Sequence, residues 1–304
     1  MSRRAALLFL TLGVAWGIPY LLIKVAVEEL SPAELVLART GLAALILMPI
    51  AIGKDAVRPL VRHWHWLLVF AAVEIAIPWV LLNKAETRLP SSTTGLLIAA
   101  VPLAGVGIAF ATGRAERLPP VAWLGLALGI VGVGALVGLD VSGSDLGAVV
   151  EVGVVVLGYA AGPAILSRAL AGLPGIGIMA SALTVTALAY VPIVLVADGS
   201  PAELPSAKVV WSVVALAVVC TAAAFMLLFA LVTEVGPVRA TTITYLNPAV
   251  AVVAGALVLG EPVTVWTVVG FALVVTGSYL VNRRGRAPQP VEAEIVEETA
   301  SSCA

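Results

Sequence analysis

The chain is written as apolar runs separated by short polar breaks. Ten runs are long enough, or nearly so, to cross ~30 Å of hydrocarbon. They are Ala5–Ile23, Leu35–Ile52, Trp66–Leu82, Thr93–Ala111, Val121–Leu139, Leu146–Leu166, Ile176–Ala197, Val209–Val232, Ala240–Leu259 and Val263–Val281. Val and Ile are plentiful, but runs of 17 to 24 residues without strict alternation predict helices and not barrel strands. Asp140–Asp145 separates the fifth run from the sixth, while only Gly260-Glu261-Pro262 separates the ninth from the tenth, which predicts a tight helical hairpin. Met1-Ser2-Arg3-Arg4 before the first run resembles a signal peptide, but Trp16, Pro19 and Tyr20 fall where a cleavage site would lie, so this run reads as a retained helix.

The pattern repeats. Glu116, Gly125 and Gly132 recur 145 positions later as Glu261, Gly270 and Gly277. Pro19, Pro49 and Pro102 are answered by Pro163, Pro192 and Pro248, Lys24 by Arg168, and Leu81-Leu82 by Leu227-Leu228. Each copy holds five runs, and an odd number of crossings turns the second copy over. The expected fold is therefore all-α and integral to the membrane, with ten transmembrane helices arranged as two inverted five-helix repeats, an architecture of secondary transporters. The expected units are residues 1–139, residues 140–286, and a tail, 287–304, whose two prolines, four glutamates and lack of apolar periodicity predict disorder.

Composition sharpens this picture. Of 304 residues, 61% are hydrophobic and only 12% charged, against about 25% charged in a soluble domain. A net charge of −1 leaves no basic footprint for nucleic acid. With the N-terminus in the cytoplasm, that side holds Arg3, Arg4, Lys54, Arg58, Arg62, Arg114, Arg117, Arg168, Arg239, Arg283, Arg284 and Arg286, and the outer side only Lys24, Lys84, Arg88 and Lys208. The imbalance predicts both termini in the cytoplasm. Two cysteines, Cys220 and Cys303, imply no disulfide framework. His63 and His65, in Arg-His-Trp-His-Trp, suit a membrane interface better than a metal site. No hydrolase, zinc-protease or phosphate-loop motif is present, so neither an enzyme nor direct use of ATP is expected, and no cofactor or metal.

These landmarks resemble the EamA family of the drug/metabolite transporter superfamily. They are Ala15-Trp16-Gly17 followed by Lys24, Ser31-Pro32 followed by Arg39, Pro102…Glu116…Trp123-x-Gly125…Gly132, and Asn247-Pro248…Gly260-Glu261-Pro262…Trp266…Gly270…Gly277. The likeness covers roughly residues 5–283. It implies a ten-helix inner-membrane carrier, often an exporter of metabolites, amino acids or drugs, with helices four, five, nine and ten as scaffold. The halves have diverged: Gly158-Tyr159-Ala160 stands where the first copy has Ala15-Trp16-Gly17, and no arginine in the seventh helix matches Arg39.

A charge in mid-bilayer costs about 2.5–3.5 kcal/mol on insertion scales, so each one invites an explanation. At ~1.5 Å per residue from the outer helix ends, Glu74 lies ~12–13 Å deep, Arg39 ~6–9 Å and Glu151 ~8 Å. Glu74, one turn before Pro78, is the first candidate for proton coupling or substrate binding; a static ion pair with Arg39 is the structural alternative. Arg39 could instead clamp a carboxylate or phosphate. Glu151 suits a solvated vestibule. Trp16, Tyr20 and Lys24 form a stripe at i, i+4, i+8, and with Tyr159, Thr244 and Asn247 are candidates for a cavity wall. Pro19, Pro78, Pro102, Pro163 and Pro248 are candidate hinges. Gly125-x-x-x-Gly129 suits packing inside the bundle or a homodimer. Glu116 and Glu261 are expected to cap the helices that follow them. The resulting expectation is a monomeric or homodimeric carrier in the cytoplasmic membrane that moves small organic solutes by alternating access. Export coupled to protons is the first form of that expectation, and a facilitator or metabolite exchanger the alternative.

Overall fold

The computed structural model describes residues 2–111, 120–140, 145–197, 204–236 and 240–282. The Glu116 hairpin, Arg239 and the tail from 287 onward lie outside them. Every described apolar run is helical, and there is no strand among the described residues. The helices are α1 (Arg3–Ala26), α2 (Pro32–Gly53), α3 (Arg58–Glu86), α4 (Ser91–Ile98 and Val101–Ala111), α5 (Pro120–Asp140), α6 (Leu146–Arg168), α7 (Gly175–Ala197), α8 (Ala207–Val235), α9 (Thr241–Tyr245 continuing into Asn247–Val258) and α10 (Val265–Asn282). Among them, seven helices are long and apolar enough to cross a membrane, namely α1–α4 and α6–α8; α5, α9 and α10 contribute shorter apolar stretches, Pro120–Leu136, Ile243–Val258 and Val265–Leu280. Large side chains such as Leu45, Val61, Ile130, Leu188 and Leu257 stand exposed on the outside of the bundle. Facing lipid, they cost nothing, because acyl chains are as apolar as they are.

Local chemistry sets the helix ends. Ser31 and Glu34 form a reciprocal capping box at the start of α2, with Pro32 in the first turn, where its missing N–H is not needed. Gly260 turns the α9–α10 connection with φ +67°, a conformation that side chains with a Cβ rarely adopt. The Glu261 beside it does not cap α10. Its carboxylate accepts from Ser91 N (2.7 Å) and Ser92 N (2.9 Å), capping α4 instead. The hairpin folds back over the neighbouring helix, so the orphan N–H groups nearest to the carboxylate belong to α4.

The helices associate in a regular way: α5 with α10, α2 with α7, α4 with α9, α3 with α6, and α1 with α8. Exchanging the halves turns the first three pairs into themselves and turns α3–α6 into α8–α1. The α5–α10 contact uses the glycine stripe: a Cβ on Gly277 would sit 2.5 Å from Gly125 O and 2.6 Å from Gly129 N. The small-residue face of α5 is thus occupied within the chain.

The prolines act unequally. α1 breaks at Ile18 before Pro19, α4 breaks at Ala99-Ala100 before Pro102, and α9 tightens into a 3₁₀ segment before Pro248. Pro49, Pro163 and Pro192 sit inside continuous helices. Two further irregularities were not legible in the sequence: one π-helical turn in α3, Ala71–Ala76, and one in α8, Val218–Ala223, starting 147 positions apart.

Candidate functional site

α3 widens into its π-turn directly before Pro78, which offers no N–H to that turn. Packing from two helices stabilises the widened turn. Tyr190 on α7 donates its hydroxyl to Ala76 O at 2.8 Å. On α6, Gly158 lies against Val73 O, where a Cβ would come within 2.5 Å. Glu74 stands in the same π-turn, and its carboxyl rests on Gly162, where any side chain would collide with Oε2. Gly158 and Gly162, one turn apart, are the groove that admits the bent part of α3. Glu74 Oε2 is buried with no hydrogen-bond partner.

Arg39 is buried at 7% exposure in α2. Its Nε donates to Thr221 Oγ1 at 3.0 Å, and its guanidinium carbon lies 3.7 Å from the centre of the Trp79 ring. Such stacking stabilises a desolvated guanidinium by about 2 kcal/mol. Thr221 belongs to the π-turn of α8 and gives its own hydrogen to Leu216 O at 2.8 Å. No ion pair joins Arg39 to Glu74. Tyr159 stands within electrostatic range of both. It leads on to Tyr20, which is in turn within range of Arg39. The arrangement is a buried polar layer: an acid and a cation both within range of Tyr159, and a tryptophan face beside the cation.

The other expected residues are dispersed. The Trp16–Tyr20–Lys24 stripe crosses the break in α1 and meets three different neighbours. Trp16 packs edge-on against Phe225 of α8, with ring centres 6.0 Å apart. Tyr20 is buried beside Gly95 of α4. Lys24 donates to the carbonyls of Glu86 (2.7 Å) and Leu89 (2.9 Å), satisfying the C-terminal end of α3. Glu151 is held by Lys84 at 3.0 Å and by Arg88. Tyr159 lies eight residues further along α6, roughly 12 Å away in helical rise, so Glu151 is not part of the Glu74–Arg39 layer. Asn247 Oδ1 is buried without a partner in the first turn after the 3₁₀ segment of α9. Thr244 is half-buried within that segment, whose Tyr245 donates to Ser278 O of α10 at 3.0 Å. No cluster of three or more His, Cys, Asp or Glu side chains is placed to hold a metal among the described residues.

Three residues of this interior escaped the sequence reading: Trp79, Thr221 and Glu86. Trp79 was readable as an aromatic next to Pro78; Thr221 was not, because its 147-residue register with Glu74 shows only in the two π-turns. Glu86 lies in Asn83-Lys84-Ala85-Glu86-Thr87-Arg88, which reads as a wetted helix end, yet it is 0% exposed. Near the face that carries the N-terminus, an open cleft of about 500 Å³ lies between the end of α2, the start of α7 and the last turns of α8, lined by Lys54, Ile176, Met226, Phe229 and Thr233 among others.

Apolar helices packed around a buried polar layer define a multi-pass membrane protein. The EamA-like transporter family matches residues 3–138 and again residues 149–283. The chain belongs to that family and is a membrane transporter. It is similar to YvbV, an uncharacterized transporter of Bacillus subtilis strain 168, at 24% identity over 301 residues and 98% of each chain. It is also similar to YedA, an uncharacterized inner membrane transporter of Escherichia coli strain K12, at 27% identity over 301 residues and 95% of each chain. A probable terminal-alkyne amino-acid exporter of Streptantibioticus cattleyicolor is 29% identical over 290 residues, 93% of this chain and 95% of that one. In fold, a solved crystal structure at 18% identity aligns with a TM-score of 0.64 over 91% of this chain and 95% of its own.

Proposed function

We propose that the protein is a secondary active exporter of small zwitterionic solutes, amino acids or close analogues, and that Glu74 couples solute movement to protons. It crosses the cytoplasmic membrane ten times as two inverted five-helix repeats, with both termini in the cytoplasm. The pairing of helices, unchanged when the halves are exchanged, and the two π-turns 147 positions apart support the repeat. The excess of basic residues on the loops of one side supports the orientation. The relatives named as an inner membrane transporter and as an amino-acid exporter support the location and the solute class.

One observation carries the reading: Glu74 is buried in the π-turn with an oxygen that no donor serves, while Arg39, also within range of Tyr159, has no carboxylate partner among the described residues. An unpaired carboxylate in a dry interior is costly, so the acid either carries a proton or pairs with a cation brought from outside. An ammonium group would suit Glu74, and a carboxylate would suit the N–H groups of Arg39 that Thr221 leaves free. A solute bearing both charges and a proton then compete for one acid, which is the logic of antiport. In alternating access, the two π-turns and the breaks at Pro19, Pro102 and Pro248 absorb the bending. The cleft near Lys54 offers a way in from the cytoplasmic face.

The test is reconstitution in liposomes holding a pH-sensitive dye. A panel of amino acids, amines and organic acids is added to wild type and to Glu74→Gln under an imposed pH gradient. Solute-triggered proton flux in wild type, absent in Glu74→Gln, is expected. Coupled, pH-dependent transport that survives in Glu74→Gln would remove Glu74 from the mechanism. The stacking of Arg39 on Trp79 favours a second reading, an exchanger for anionic metabolites. Uptake that requires solute on the opposite side and ignores the proton gradient would select it.

A further inference from the structure

Glu86 ends α3 far along the helix from Glu74, and its side chain is 0% exposed. Neither carboxyl oxygen has a hydrogen-bond partner within bonding geometry. The donors around it are committed elsewhere. Lys24 of α1 gives its ammonium to the backbone carbonyls of Glu86 and Leu89. Thr94 of α4 gives its hydroxyl to Pro90 O at 3.1 Å. Ser91 N and Ser92 N serve Glu261 of the α9–α10 hairpin, and Asn83 Nδ2 serves Pro32 O at 3.1 Å. Lys24 and Tyr20 of α1 and Glu261 of the hairpin are within electrostatic range of it, and Glu151 of α6 is already held by Lys84 and Arg88. A carboxylate here would be cut off from bulk solvent with no donor in bonding geometry and only the nearby charge of Lys24 to offset it, a costlier state than a neutral carboxyl.

We propose that Glu86 is a second proton-binding carboxyl of the transport cycle, holding its proton while the junction of α1, α3 and α4 is closed and releasing it as that junction opens. The inference rests on the reading that the protein alternates between conformations, but not on Glu74. Ionised Glu86 needs either water or the ammonium of Lys24. Water requires the junction to part. Lys24 keeps a third N–H beyond the two it gives to the carbonyls, but that N–H does not reach either carboxyl oxygen as placed, so pairing draws the ammonium away from its seat on the end of α3. Loss of the proton and loss of the latch are therefore one event. The site spans both halves of the chain, because Glu261 closes it from the second.

The test uses the full-length protein in lipid nanodiscs with no solute added. Hydrogen exchange over residues 89–98 is followed from acid to alkaline pH and corrected for intrinsic base catalysis. In parallel, the infrared carbonyl band of protonated carboxyls is recorded. In wild type, protection of this segment should fall about tenfold per pH unit once Glu86 ionises, the slope for one released proton. Glu86→Gln, a permanently neutral isostere, should keep its protection throughout and lack one carbonyl band. Lys24→Met, which removes the latch and not the acid, should be weakly protected at every pH. Identical pH profiles in wild type and Glu86→Gln, or a wild-type profile in Lys24→Met, would overturn the proposal. Glu74→Gln should retain the wild-type profile. Proton-independent transport alongside an intact Glu86-dependent profile would sink the role of Glu74, whereas intact coupling with a profile insensitive to Glu86 would sink this one.

Discussion

Arg39 donates to Thr221 across 182 positions of sequence, from α2 in the first half to the π-turn of α8 in the second. Glu74 occupies the corresponding π-turn of the first half. The two widened turns thus present an acid and a hydroxyl at equivalent places, and the cation goes to the hydroxyl. A hydrogen bond to a charged group contributes about 1.5–3 kcal/mol. Thr221→Val keeps the shape but removes the acceptor of Arg39 and the donor of Leu216 O. The expected result is a loss of roughly 2 kcal/mol in stability, together with weaker solute binding, while Thr221→Ser keeps both. Unfolding in detergent and solute binding by calorimetry measure the two effects.

The groove on α6 gives a second prediction. Gly162→Ala forces a methyl group into the Glu74 carboxyl, and Gly158→Ala forces one against Val73 O. Overpacking of this kind costs about 1–3 kcal/mol. Both variants should melt at lower temperature and lose transport, Gly158→Ala losing more stability because it meets a backbone carbonyl, and Gly162→Ala more transport because it displaces Glu74 itself. Gly153→Ala on the same helix is the control: nothing lies within 4 Å of its Cβ, so it should behave as wild type. Equal behaviour of all three would refute the packing of α3 on this stripe.

Glu261 supplies a pH prediction outside the membrane-spanning segments. Burial pushes its carboxyl upward, but hydrogen bonds from Ser92 and Ser91 outweigh that and hold it below the ordinary carboxylate range. A group lowered on folding stabilises the protein at neutral pH, and that stabilisation disappears as pH falls through its folded-state value. Melting temperature should therefore drop on acidification. Glu261→Ala should lose about 0.5–2 kcal/mol at neutral pH, the usual magnitude for a helix cap, and show a flatter acid limb. An unchanged acid limb would mean that other carboxylates carry it, Glu29 first among them, since its hydrogen bond from Ser206 lowers it in the same sense.

Glu151 should behave unlike Glu74. Its two cations, Lys84 and Arg88, are 57% and 35% exposed, so the cluster is screened by water and salt. Such pairs contribute about 0–1 kcal/mol. Glu151→Gln is expected to transport solute at wild-type rate, with a small loss of stability that vanishes in high salt. Loss of coupling in this variant would return Glu151 to the transport path.

Much of this molecule was legible before any coordinate. The ten helical stretches follow from run length, because in lipid a backbone must satisfy itself locally and only a long apolar helix does so. The breaks at Pro19, Pro102 and Pro248 follow from a missing N–H. Glu74 was conspicuous because it stands alone in an apolar run. These are properties of one segment at a time, and the order of residues determines them. The tertiary structure decided which groups meet. Arg39 could be placed at a depth by counting residues, but its partner depended on how α2 and α8 are rotated about their axes. Glu86 sits among polar neighbours along the chain and is buried only because α1, α4 and the α9–α10 hairpin close over it. Glu261 caps α4, and not the helix it precedes, because the fold brings those N–H groups closer. Charge and burial along a helix are written in one dimension; the partner that satisfies a buried charge is chosen by packing in three.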